Sequence, residues 1–134
     1  MIVVDSSALI AVLFGEPQAK VLIDRLALER DRYLSVVSYV ETGTVIAGRM
    51  RRNPAGAVPV LDGLLTELEV TVRSVDETQM RLAIRARIEH GRGFGASAGL
   101  NFGDCFAYAL AKVLDVPLLF VGDDFGRTDL RSAL

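Results

Sequence analysis

With 134 residues, 51% of them hydrophobic and 24% charged, the chain has enough apolar material for one core and too much for a disordered polyelectrolyte. The length sets the expectation of a single domain over residues 1–134 that needs neither disulfides nor a structural metal, in keeping with the lone Cys105. Fifteen basic against seventeen acidic residues leave a net charge of -2 and a pI near 5.4, which excludes a general polycation gripping nucleic acid by charge alone.

The chain opens on an apolar segment, Ile2–Asp5, that reads as a strand. No basic residue precedes it and an acid closes it, so no secretory leader is expected. The longest apolar runs, Ala8–Phe14 and Cys105–Ala111, have seven residues each, against the ~18 a membrane span requires. A cytoplasmic, soluble protein is the expectation. Ser6 to Arg32 reads as two helices broken at Gly15-Glu16-Pro17, followed by a second strand at Tyr33–Val37. Ser38 to Leu68 is long enough for two more helices, broken near Asn53-Pro54, where proline restricts the residue before it. A third strand is expected at Glu69–Arg73, then a helix marked by Met80, Ile84 and Ile88 at four-residue steps. Gly91 to Gly99 is rich in glycine and small residues and reads as a mobile loop. Its Gly-x-Gly-x-Gly opening follows a helix, not the strand that a phosphate-cradling loop requires. A sixth helix and a strand at Pro117–Val121 complete the order. Strands alternating with helical crossovers imply an α/β fold, a mostly parallel sheet in a three-layer α/β/α arrangement.

Several acids stand where that fold would bring them together. Asp5 closes the first strand, and Asp104 follows the glycine-rich loop on one stripe with Ala107 and Ala111. Glu41 lies on a partly apolar helix face, and Asp123 and Asp124 follow the fourth strand after Gly122. Each alone is explained as a helix cap or a surface acid. Together they belong to the carboxyl edge of the sheet, where open α/β folds bind ligands. Two bare carboxylates ~4 Å apart repel by roughly 4 kcal/mol at an effective dielectric near 20, a conflict that a divalent cation removes. Oxygen-only ligation suits Mg²⁺ or Mn²⁺ and disfavours zinc. Phosphodiester hydrolysis is the natural chemistry of such a centre. Arg49, Arg51 and Arg52, and the stripe Arg81, Arg85 and Arg92, are candidates for handling phosphate or for a solvated helix face.

Four segments occur in order along the whole chain: Val-Val-Asp5-Ser-Ser7-Ala-Leu-Ile, Ser-Tyr-Val-Glu41-Thr, Gly-Leu-Asn101-Phe-Gly-Asp104-Cys-Phe-Ala-Tyr-Ala-Leu-Ala, and Leu-Leu-Phe-Val-Gly-Asp-Asp124-Phe. In these the chain resembles a PIN domain of the VapC toxin type. The resemblance implies a magnesium- or manganese-dependent endoribonuclease, the toxin of a toxin–antitoxin pair. It implies RNA as substrate, and the mechanism expected for such a site is in-line attack by metal-activated water, leaving 5′-phosphate and 3′-hydroxyl ends. It also implies a homodimer and a cognate VapB-type antitoxin whose C-terminal segment covers the active site. Carried over by position, Asp5, Glu41 and Asp104 form the acidic metal site and Ser7 assists beside it. The family's fourth acid falls on Gly122 here, so Asp124 or Asp123 substitutes for it, and Asp124 is the choice.

Two readings from other classes compete. In a non-catalytic interaction module the acids are only caps. A receiver-type phosphoacceptor domain needs a lysine at a late strand end, whereas Lys20 and Lys112 both fall in expected helices.

Overall fold

Side-chain alternation along very short strands decides the layers. In a computed structural model, which describes residues 1–95 and 97–134, strand β1 (Ile2–Val4) sends Ile2 and Val4 to one face and Val3 to the other. Strand β2 (Arg32–Ser35) repeats this with Leu34 and Tyr33, and β4 (Leu118–Leu119) with Leu119 and Leu118. Both faces of the sheet are therefore apolar and both are covered. On one side lie α1 (Ser6–Leu13), α2 (Ala19–Ala27), α3 (Val36–Arg49) and α4 (Ala57–Glu67), packed through Leu9, Leu22, Ile46 and Leu61. On the other lie α5 (Glu77–His90) and α6 (Asp104–Leu114). The result is the expected three-layer α/β/α sandwich.

All strand pairs are parallel, in the order β3-β2-β1-β4, with β3 spanning Val70–Arg73. The chain steps outward from β1 to β2 to β3, then crosses back through α5 and α6 to lay β4 on the far side of β1. The direction of winding reverses at β1 and β4. Ligand crevices in open parallel sheets form at such a reversal, beyond the carboxyl ends of the strands. Asp5 is the residue directly after β1.

The expected helix breaks at Gly15-Glu16-Pro17 and Asn53-Pro54 are present, the second as a short 3₁₀ turn over Pro54–Gly56. All four strands differ at their ends: the first stops at Val4, before Asp5, and the second starts one residue early, at Arg32. The second strand ends at Ser35 instead of Val37, because the Ser35 hydroxyl accepts a hydrogen bond from the Val37 N–H at 3.3 Å and starts α3. The third begins at Val70, after Glu69 turns through a positive φ of 52°. The fourth is only Leu118–Leu119, as the chain beyond it turns toward the crevice. The expected loop over 91–99 opens with a bridge between Gly91 and Leu100, and its residue Ala96 lies outside the described residues.

Helix α5 is where its hydrophobic period places it, but Met80, Ile84 and Ile88 face outward. The buried side of α5 carries Gln79, Ala83 and Ala86, and the two alanines are small enough to let α6 come close. Helix α6, buried on most sides, lies between α5 and the sheet with Ala107, Ala109 and Ala111 along it. Leu110 is fully buried in that layer. Leu110→Ala is expected to cost roughly 2–5 kcal/mol, as deletions in well-packed cores do. Urea unfolding should show a lower midpoint with an unchanged slope; a midpoint equal to that of the parent chain would mean that the layer is not packed as described.

Candidate active site

Asp5 is placed by the end of β1 and by the start of α1, which it caps. Its Oδ2 accepts hydrogen bonds from the Ser7 N–H at 3.0 Å and from the Ser7 hydroxyl at 2.6 Å. The same hydroxyl accepts from the Val121 N–H at 3.0 Å, joining the end of β1 to the chain just past β4. The side chain is 2% exposed, yet Oδ1 is buried without a hydrogen-bond partner among the described residues. Desolvation pushes its pKa up, against the lowering effect of the two Ser7 hydrogen bonds and of the nearby Ser6 N–H.

Asp104 is held by a reciprocal pair. The Asn101 side-chain oxygen accepts from the Asp104 N–H at 2.8 Å, while Asp104 Oδ2 accepts from the Asn101 N–H at 2.9 Å. This is the geometry of a capping box, with Asn101 as the cap and Asp104 three residues on. The cap reading therefore holds for Asp5, whereas Asp104 is not the cap but the partner of the Asn101 cap; each arrangement uses only one oxygen of the acid. Asn101 was part of a familiar segment without a role of its own; its spacing from Asp104 was the available signal.

Glu41 lies in the second turn of α3, facing the start of α6. Its Oε1 accepts a long 3.4 Å hydrogen bond from the Ser6 hydroxyl, a contact that sequence spacing did not point to. After β4, Gly122 takes a φ of 104°, a left-handed conformation that suits glycine and disfavours an acid at that position. Asp123 and Asp124 are both exposed, but only Asp124 acts electrostatically on Asp5 and Asp104. Asp124 Oδ1 also lies 3.6 Å from where a β-carbon on Gly99 would stand.

Asp5, Glu41, Asp104 and Asp124 thus share one electrostatic pocket. Burial, reinforced by Asp5 and Asp104, raises Glu41 to about 7. Burial also raises Asp104 to about 6, the Asn101 N–H opposing it and Asp5 and Asp124 adding to it. The acids surround the pocket without closing on one point: among the described residues no group of three or more His, Cys, Asp and Glu is drawn tightly enough to hold an ion as it stands. Mutual repulsion accounts for that spacing. The donor set is nevertheless all oxygen and includes the orphaned Asp5 Oδ1, which fits a hard divalent cation.

Of the candidate arginines, Arg92 alone reaches the acids, its charge lowering the Asp104 pKa. Arg81 pairs with Glu77 at 2.9 Å, and Arg85 faces Tyr108 across α5 and α6. Arg49 stacks over Phe14 at 3.9 Å, eight residues and about 12 Å along α3 from Glu41, with Arg51 and Arg52 in the turn beyond. An apolar groove of about 680 Å³ flanks Glu41, lined by Val36, Val40, Val45 and Phe102.

The folded chain binds protons at Glu41 and Asp104 more tightly than the unfolded chain, whose values are 4.5 and 3.8. Their contribution to stability is present below about pH 4 and is lost as pH rises through about 6 and 7. In chelator, the melting temperature should fall from about pH 5 to about pH 8 more steeply than in a Glu41→Gln/Asp104→Asn variant, and Mg²⁺ should recover it at the alkaline end. Parallel profiles for the two proteins would show that these carboxyls are not strained by burial.

The chain is 46% identical over 132 residues to ribonuclease VapC28 of Mycobacterium tuberculosis, covering 98% of this chain and 97% of that protein. It is 43% identical over 130 residues to ribonuclease VapC of Mycolicibacterium smegmatis, covering 97% and 98%. Among solved structures, Mycobacterium tuberculosis VapC20, a sarcin-ricin loop cleaving toxin, is similar with a TM-score of 0.75 at 17% identity, over 97% of this chain and 96% of that one. VapBC2 from Rickettsia felis, bound to a DNA fragment from its promoter, is similar with a TM-score of 0.74 at 13% identity, over 98% and 96%. Those structural likenesses speak to the fold. The PIN domain profile matches residues 2–130 and so takes in β1, both flanking layers and all the clustered acids. By sequence over nearly its whole length and by the shape of its sheet, the chain belongs to the PIN domain family.

Proposed function

We propose that this PIN domain is an endoribonuclease, the toxin of a toxin–antitoxin pair, with Asp5, Glu41, Asp104 and Asp124 as the ligands of Mg²⁺ or Mn²⁺. The observation that carries the reading is Asp5 Oδ1, a buried acceptor without a partner in a pocket shared with three other acids. Relatives 40–46% identical named as VapC ribonucleases support the activity. A divalent ion in this pocket supplies polarisation of a phosphoryl oxygen and lowers the pKa of bound water.

The chain's own residues do the rest. Ser7 fixes the Asp5 carboxylate through two hydrogen bonds, and the Asn101 cap fixes Asp104. Without a cation, burial and the neighbouring acids raise Glu41 to about 7; beside a divalent ion held by Asp5 and Asp104, Glu41 would favour its charged form and be drawn in as a ligand. Arg92 offers the approaching RNA backbone a positive charge at the rim of an otherwise acidic pocket. Neither lysine reaches the pocket: Lys20 pairs with Asp24 and Lys112 with Asp129, which leaves the receiver-type reading without its phosphoryl-binding cation.

Protein partners have a surface to use. Phe102, 69% exposed, links the Val40 groove to a second one lined by Met80, Ile84 and Phe106. An apolar face of this kind fits a homodimer and an antitoxin segment lying over the site. Antitoxin partners belong to the structural neighbours as well, one being a toxin–antitoxin complex from Klebsiella pneumoniae with a TM-score of 0.67. Among the described residues no helix is long and apolar enough to cross a membrane, and a cytoplasmic site of action fits an RNA substrate.

Asp5→Asn and Asp104→Asn keep the caps while removing a charge, so each should stay folded and lose roughly 10²–10³-fold or more in RNA cleavage. Product ends should be 5′-phosphate and 3′-hydroxyl, and chelation should abolish cutting. Full cleavage by either folded variant would overturn the assignment, and Mn²⁺ calorimetry no stronger than for a scattered acidic surface would favour a non-catalytic interaction module. Ile84, 56% exposed, reports on assembly. Ile84→Glu should shift the chain from dimer to monomer in light scattering without changing its fold, whereas a parent chain already monomeric at high concentration would remove the homodimer from the proposal.

A further inference from the structure

We propose that Gly103 is a positioning residue for Glu41: its bare α-carbon is the seat on which the Glu41 carboxylate rests against the first turn of α6. The residue has φ -66° and ψ -38°, right-handed helical values open to any amino acid, so backbone conformation gives no reason for glycine. Space gives one. A β-carbon at Gly103 would stand no more than 2.5 Å from either carboxylate oxygen of Glu41, well inside contact distance. At Gly43, Gly48 and Gly63, also within helices, no atom approaches that position closer than 3.6 Å.

What obstructs the methyl group is the end of a flexible side chain, not backbone. The structure can therefore accept alanine by letting the Glu41 carboxylate move off, away from Ser6 and from the acids that follow β1 and open α6. The neighbouring Asn101 cap already fixes Asp104 at the next position, so Gly103 sets the distance between the two acids. Glu41 comes from α3 and Asp104 from α6, two helices in different layers, and Gly103 lies where they meet.

The inference rests on the proposed role of Glu41 in the acidic site, and a double-mutant cycle separates the two. Gly103→Ala should weaken Mn²⁺ binding by about tenfold or more in calorimetry, as loss of a supporting residue at a metal site does. In a Glu41→Ala background the same change should alter Mn²⁺ affinity less than about twofold, since no carboxylate remains to displace. Melting in chelator gives a readout without metal. Alanine is the better helix former, so Gly103→Ala should raise the melting temperature in the Glu41→Ala background and fail to raise it in the parent. A parent variant that does not fold while the double variant does would support the seat equally. Equal effects of Gly103→Ala in both backgrounds, including failure to fold in both, would overturn it. Unchanged Mn²⁺ affinity in Asp5→Asn would instead overturn the metal site, leaving the chelator melting cycle to decide on Gly103 alone.

Discussion

The arrangement depends on a charged group placed where water does not reach it. Asp5 ends the central strand, almost sealed by the layers on either side. Burying a carboxylate costs several kcal/mol unless each oxygen finds a partner. Capping α1 accounts for Oδ2 and leaves Oδ1 with nothing to accept. Helix capping alone would be served as well by serine or asparagine, at no such cost. Stability therefore gives no reason for an aspartate here, whereas an ion-binding pocket does.

Repulsion then shapes everything around Asp5. Glu41 and Asp104 arrive from α3 and α6, and each is held by contacts outside the acid group: Ser6 on one, Asn101 on the other. Burial of the acids themselves strengthens both the repulsion among them and the attraction of any cation entering between them. Winding reversal at β1 and β4 supplies the opening, so chain topology and charge place the crevice at the same spot.

Much of this was legible in the chain itself, for reasons that can be named. Ile2, Val3 and Val4 are apolar without interruption, as a strand covered on both faces must be, and the acids recur just beyond the strands that such a pattern marks. Val36 and Val37 misled because branched side chains favour strands; a single serine hydroxyl capping α3 outweighed that preference. The Met80, Ile84 and Ile88 period found α5 but not its inner face, because close packing against α6 selected for small size over hydrophobicity. The preference for Asp124 over Asp123 rests on which charge acts on Asp5 and Asp104 in the folded chain, which no local pattern encodes. The approach of Gly103 to Glu41 joins residues 62 positions apart, and no local pattern encodes such a distance.

Ser7 acts as a rivet between β1 and the chain beyond β4. Its single hydroxyl proton goes to Asp5, and its oxygen accepts from the Val121 amide. While Asp5 holds that proton, the hydroxyl has none to lend a leaving group. Its work is mechanical: it stops the two strand ends that bound the crevice from spreading apart. Threonine carries the same hydroxyl, whereas alanine would lose both the tie to Val121 and one of the two hydrogen bonds that fix Asp5.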